Sequence, residues 1–152
     1  MATLSLKARA VRLLARREYS QAELRQKLGP HAANPAELEQ VLAALAAQQW
    51  QSDQRYVAQR SHTRAPRYGA RRIAFELTQA GIAPALVQAE LATLAQSEIT
   101  RARQVWLKRF GQPPATPQEY QRHSLFLLRR GFTQDTVRRV LRTPAFDAGD
   151  ES

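Results

Sequence analysis

Residues 10–28 read AVRLLARREYSQAELRQKL, and this stretch decides the fold. Before Tyr19, apolar residues at Leu6, Ala10, Leu13 and Leu14 alternate with basic ones, which predicts a surface helix with one buried stripe over residues 4–17. Ser20 then offers a hydroxyl to the next helix and Glu23 stands three positions on, a capping box worth about 1 kcal/mol where it forms. Leu24 and Leu28 continue the apolar stripe, and Gly29 and Pro30 stop it. The same corner is written twice more. An arginine-rich helix end, an aromatic residue, a small residue and two apolar residues at four-residue steps recur as Tyr68, Gly69, Ile73, Leu77 and as Phe132, Thr133, Val137, Leu141. Such self-similarity predicts a tandem helical array, and arrays present surfaces to macromolecules rather than enclose a pocket.

The remaining helices follow from start and stop signals. Asn34 and Pro35 open a third helix with Leu38, Val41, Leu42 and Leu45 inward, and Trp50 is expected to close this unit against the next. Ser52 or Asp53 caps a fourth, with Tyr56 and Val57 inward and Ala65 and Pro66 at its end. Gly69 begins a fifth, Gly81 terminates it and Ile82 supplies the apolar contact that follows such a glycine. Pro84 opens a sixth with Val87, Leu91 and Leu94. A seventh over about 98–110 carries Ile99, Ala102, Val105 and Trp106, and Gly111 and a three-proline turn follow. The eighth, about 118–130, has Leu125 and Leu128 inward; the ninth starts at Thr133 and ends before Pro144. Asp147, Asp150 and Glu151 suggest a frayed acidic tail. The expected fold is all-α: a tandem array of three three-helix units, 1–51, 52–96 and 97–143, with a tail at 144–152. A single irregular helical bundle is the alternative.

Composition agrees. Alanine and leucine dominate, 43% of the 152 residues are hydrophobic and 24% are charged, as in a globular helical protein. A net charge of +10 points to a polyanion or an acidic protein surface as partner, or simply to a solubilising surface. The absence of cysteine excludes disulfide scaffolds and thiolate metal sites. No signal peptide or membrane span is visible, so a cytoplasmic protein is expected. His31, His62 and His123 lack metal-ligand spacing, the carboxylates fall mostly at exposed or capping positions, and there is no glycine-rich phosphate loop. No catalytic residue, metal or cofactor is therefore assigned.

The basic residues cluster by segment: seven in 1–30, six in 53–81 and ten in 98–143, with none in the third and sixth helices. An array that lines up its first and second helices would form a basic face from Arg16, Arg17, Arg25, Lys27, Arg64, Arg67, Arg71, Arg72, Arg129, Arg130, Arg138 and Arg139. Arginine suits phosphate or carboxylate because its planar fork donates two hydrogen bonds at once. For any single arginine, a solvated helix face is the competing reading. Tyr19, Tyr68 and Phe132 could stack on bases, but packing between the first two helices of each unit is preferred.

The chain resembles the RecX family of bacterial RecA regulators. The matching segments are residues 10–28, residues 68–82 (YGARRIAFELTQAGI) and residues 122–141 (RHSLFLLRRGFTQDTVRRVL), and WLKRFGQPP at 106–114 resembles the family's aromatic-glycine-proline connection. Together they cover about 4–143. One departure lies before the fourth helix, where members commonly have a glycine-aromatic-leucine turn and paired aspartates; here stand Gln49, Trp50, Gln51, Ser52 and Asp53. The resemblance implies an elongated, curved array, monomeric and without enzymatic activity, that binds the RecA–DNA filament and suppresses strand exchange, ATP hydrolysis and co-protease function. A helical protein that binds single-stranded DNA without a filament partner is the runner-up, and an adaptor for acidic protein surfaces is a third reading.

Overall fold

The structure, a computed structural model, describes residues 3–142. The expected acidic tail at 144–152 lies outside the described residues. Within them there are nine α-helices and no strand: α1 (Leu6–Leu14), α2 (Gln21–Leu28), α3 (Pro35–Ala47), α4 (Asp53–Arg64), α5 (Ala70–Gln79), α6 (Pro84–Ala95), α7 (Glu98–Arg109), α8 (Pro117–Arg129) and α9 (Gln134–Arg142).

Most helix starts are set by short polar side chains. Ser5, Asn34, Ser52 and Thr116 each accept a hydrogen bond from a backbone N–H in the first turn of α1, α3, α4 and α8. Ser20 forms the full capping box with Glu23, and Thr133 Oγ1 accepts from Thr136 N at 3.1 Å. The first helix is shorter than its apolar pattern: it ends at Leu14, so Arg16 and Arg17 lie in the following turn. Gly81 has φ +80° and Gly131 φ +93°, the left-handed geometry that ends α5 and α8. At both ends the next residue folds back onto the helix: Ile82 N donates to Leu77 O at 3.1 Å, and Phe132 N to Leu127 O at 3.2 Å.

The core is divided. Leu6, Ala10, Tyr19, Leu24, Leu28, Leu38, Leu42 and Leu45 form one apolar cluster. A second gathers Tyr56, Val57, Ile73, Leu77, Ile82, Val87 and Leu94. A third gathers Ala102, Val105, Trp106, Leu127, Phe132, Val137, Val140 and Leu141. Each three-helix unit thus buries its own apolar interior, as an array does.

The third written corner sits elsewhere in its unit than the first two. Tyr19–Ser20 and Tyr68–Gly69 join the first and second helices of their units, whereas Phe132–Thr133 joins α8 to α9, the second and third. Its counterpart in the middle unit is Ile82–Ala83, with Gly81 answering Gly131 and Val87 answering Val137. The corner pattern recurs at both junction types because an apolar anchor, a small residue and an apolar residue one turn on suit either kind of helix start.

Adjacent units meet at these corners, through a side-chain hydroxyl on a carbonyl at the first junction and backbone to backbone at the second. Ser20 Oγ donates to Ala80 O at 2.6 Å. A Cβ on Gly81 would fall 2.4 Å from Ala22 Cβ. One unit further along, Gly69 N donates to Arg130 O at 2.7 Å and Arg71 N to Gly131 O at 3.2 Å. A Cβ on Gly69 would lie 2.4 Å from Gly131 C.

Two inward assignments change. Trp50 is 47% exposed, with Lys7 Nζ 6.0 Å from its ring centroid. Gln49 takes a left-handed φ of 63°, which turns Trp50 outward and Gln51 inward. Buried Gln51 then closes the junction, its Nε2 donating to Tyr19 O at 3.2 Å and Asp53 Oδ1 at 2.8 Å. In α8 the buried stripe is His123 and Leu127, while Leu125 is 42% exposed. The run LFLL satisfies either phase, and the packing of α7 against α8 selects one.

Candidate nucleic-acid and filament interface

Between the second and third units lies a cleft of about 610 Å³. Tyr68 and Arg72 come from the middle unit; Arg109, Phe110, Arg122, Leu125, Phe126, Arg129 and Arg130 come from the last. A neighbouring groove of about 430 Å³ shares Tyr68, Arg109, Phe126 and Arg130 with it and adds Arg67 and Lys108. Neither wall contains an aspartate or glutamate.

Tyr68 is half-buried, packed against the core of the middle unit on one side and lining the cleft on the other. The guanidinium carbons of Arg64, Arg72 and Arg130 lie 4.1, 4.5 and 5.3 Å from its ring centroid. Arg130 also lies 5.1 Å from the Phe126 ring, and Arg109 5.8 Å. Such cation–π contacts hold guanidinium planes against rings and leave their N–H edges outward. Arg64 is further tied by two hydrogen bonds to Glu76, at 3.1 and 2.5 Å, which hold its proton more firmly than usual. Arg60 and Arg72 also approach Glu76, at 3.4 and 3.8 Å.

The cleft floor rests on a buried polar contact. His123 Nδ1 accepts from Trp106 Nε1 at 3.0 Å, and Phe110 stacks on the imidazole at 3.7 Å between centroids. Burial, with help from Arg122, holds the His123 pKa below its ordinary value. A neutral ring with its proton on Nε2 is what the Trp106 hydrogen bond requires.

The other basic residues separate into kinds. In the first unit, Arg16 and Lys27 border a smaller concavity with Arg9, Arg12 and His31. Arg17 lies over Tyr19 at 3.6 Å and reaches Glu23 at 3.4 Å. Arg25 makes a two-pronged pair with Glu39, at 2.8 and 3.2 Å, and is less available to an external anion. Arg67, Arg71 and Arg129 are exposed, with no carboxylate among the described residues at ion-pair distance. Arg138 and Arg139 pair with Asp135 at 3.7 and 3.1 Å. They stand on α9, a third helix, and so fall outside a stripe made of first and second helices.

Sequence reasoning passed over Arg109 and Arg122, which complete the cleft, and Arg101, which does something else. Arg101 is buried. It donates to Ala65 O at 2.9 Å, Tyr68 O at 2.8 Å, Leu94 O at 3.2 Å and Glu98 Oε2 at 2.7 Å. Glu98, also buried, receives Ala70 N at 3.3 Å and so does for α5 what a capping side chain at Gly69 cannot. Burial pushes the Glu98 carboxyl above its ordinary range, against the pull of Arg101 and Ala70 N–H. The expectation that carboxylates are exposed or capping fails for Glu98 on burial alone, since a cation and a helix N-terminus accompany it. Arg101 is thus a structural clamp that ties α7 to the turn before α5.

Comparison with known proteins agrees with this architecture. The RecX first, second and third three-helix domains match residues 7–45, 52–91 and 96–141. The chain belongs to the RecX family. The protein called "Regulatory protein RecX" in Leptothrix cholodnii is 50% identical over 139 residues, covering 91% of this chain and 88% of that one. The Ralstonia nicotianae protein of the same name is 41% identical over 150 residues, covering 97% and 94%. The crystal structure of RecX from Lactobacillus salivarius superposes with a TM-score of 0.79 at 15% identity, covering 90% of this chain and 92% of that one. At that identity the likeness is one of fold. RecX is a family of regulatory proteins rather than of enzymes. Among the described residues, no helix is long and apolar enough to cross a membrane.

Proposed function

We propose that this RecX-family chain binds the RecA–DNA filament and lowers its recombinase, ATPase and co-protease activities, acting as a cytoplasmic monomer without chemistry of its own. The observation that carries the reading is the acid-free arginine cleft between the second and third units of a RecX array. Arg67, Arg71, Arg72, Arg129 and Arg130 are the main contacts, with Arg16 and Lys27 extending the surface; Arg17, Arg25, Arg64, Arg138 and Arg139 contribute least because carboxylates already hold them. The segments 1–51, 52–96 and 97–143 act as successive contact modules.

Binding to bare single-stranded DNA, to RecA alone and to the assembled filament is compared in one buffer, together with filament ATPase. Tighter binding to the filament and a lowered ATPase rate are expected. Charge reversal at Arg71, Arg72, Arg129 and Arg130 is expected to weaken both without changing helix content. Equal affinity for bare DNA and filament would favour a DNA-binding protein with no filament partner. Binding to RecA without DNA would favour a protein-directed adaptor.

A further inference from the structure

We infer that the cleft between the second and third units is a nucleotide subsite, in which a single nucleic-acid strand places a base against the aromatic–guanidinium floor and its phosphates on the rim arginines. This deepens the proposed function by assigning part of the basic surface to DNA rather than to protein carboxylates.

Three observations carry it. First, the cleft is the size of a ligand pocket, about 610 Å³, and continues into a second groove through four shared residues, so a strand has a path as well as a slot. Second, its charge is of one sign. Arg72, Arg109, Arg122, Arg129 and Arg130 line it without an acidic residue. Among the described residues, the last four of these have no carboxylate at ion-pair distance. Concave walls concentrate such a field, and strand phosphates answer it. Third, the site offers flat faces. Half-buried Tyr68 and Phe126 carry the guanidiniums of Arg72 and Arg130 over their rings, Phe110 has His123 stacked on one face, the 42%-exposed Leu125 adds an apolar edge, and Gln118 and Gln121 supply amide donors and acceptors. An acidic peptide would use the cations and leave the stacking faces idle; a base uses both.

The test uses the full chain without RecA, so its outcome is independent of the filament reading. Binding of a labelled ten-residue oligothymidylate is measured for the wild type, for R72E/R129E and for R138E/R139E, which makes the same charge change on α9. Circular dichroism checks folding, and R72Q/R129Q replaces the first pair should it lose helix. The cleft pair is expected to weaken binding about tenfold or more, and the α9 pair several-fold less. An abasic oligonucleotide of the same length is expected to bind about fivefold or more weaker than the thymidylate, a gap that Tyr68→Leu shrinks. An oligoglutamate of matching charge is expected to compete poorly. Equal losses from the two charge-changed pairs would overturn the assignment, as would equal binding of abasic and thymidylate strands. Effective competition by oligoglutamate would reassign the cleft to an acidic protein segment.

Discussion

Between the first and second units, the Ser20 hydroxyl donates to Ala80 O at 2.6 Å; between the second and third, the Gly69 N–H donates to Arg130 O at 2.7 Å. Both contacts set the corner of one unit on the helix end of the next, beside a left-handed glycine. What surrounds them differs. The first junction is closed by Gln51 and Asp53, whose Oδ1 also receives Gln21 N at 2.9 Å. The second is clamped by the buried Glu98–Arg101 pair and opens on an arginine-lined cleft. A repeat can therefore keep a hydrogen bond onto a helix-end carbonyl as its joint, from a hydroxyl in one case and a backbone N–H in the other, while the neighbouring side chains set each joint's stiffness and charge. A glycine at the second corner leaves no hydroxyl, and the cap has to come from Glu98, 28 positions away.

The largest test of that contrast removes the clamp. Arg101→Ala is expected to cost about 3–5 kcal/mol, because it leaves Glu98 buried without its cation and Ala65 O and Tyr68 O without the guanidinium that bridges them. Gln51→Ala at the other junction is expected to cost less, about 1–2 kcal/mol, since only neutral-donor hydrogen bonds are lost. Denaturant unfolding of both variants decides; equal losses would remove the distinction.

The glycines come next. Gly131→Ala combines left-handed backbone with a Cβ 2.4 Å from Arg72 Cβ and 2.7 Å from Arg72 N. About 2–4 kcal/mol of destabilisation is expected from strain plus overpacking. Gly69→Ala has ordinary φ, so its loss reports the approach of the two units alone, through the 2.4 Å contact with Gly131 C. Gly29 serves as reference: it is helical and a Cβ there meets nothing within 4 Å. Gly29→Ala is expected to stabilise slightly, by about 0.4–1 kcal/mol. A destabilised Gly29 variant would mean that the glycine effects are not about contact between units.

Ser20→Ala removes a cap and the donor to Ala80 O, and about 1–2 kcal/mol is expected. A loss confined to the capping share would show that water replaces the contact between units. The smallest effect is a pH dependence. His123 has a folded pKa below the ordinary histidine value of 6.5, so below that pH the unfolded chain binds more protons and stability falls as pH falls. His123→Gln is expected to flatten this slope in unfolding midpoints compared between pH 7 and pH 5. An unchanged slope would place the titrating group elsewhere.

Much of this was legible in the chain. The Ser20–Glu23 box, the Asn34–Pro35 start and the Gly81 stop with Ile82 behind it act within one or two helical turns, so their partners lie in the same short stretch. The cleft was half legible. Arg72, Arg129 and Arg130 stood out as exposed basic pairs, but Arg109 and Arg122 looked like any helix-surface arginine, and Tyr68 looked like its buried counterpart Tyr19.

Sequence alone determined the helices, their order and the excess of positive charge, because caps, stops and apolar periodicity are local and charge is additive. Tertiary structure decided which arginines are free, which are spent on carboxylates and which one is a clamp. It also decided the phase of the third corner, the outward turn of Trp50 and the inward turn of Gln51. Asp135 holds Arg138 and Arg139 within one helical turn, but the Arg101 clamp, the cleft and the inward turn of Gln51 depend on segments tens of residues apart coming together, as Ser20 and Ala80 do across 60 positions. No local pattern encodes such a meeting, since its stabilisation exists only once both units are folded and touching.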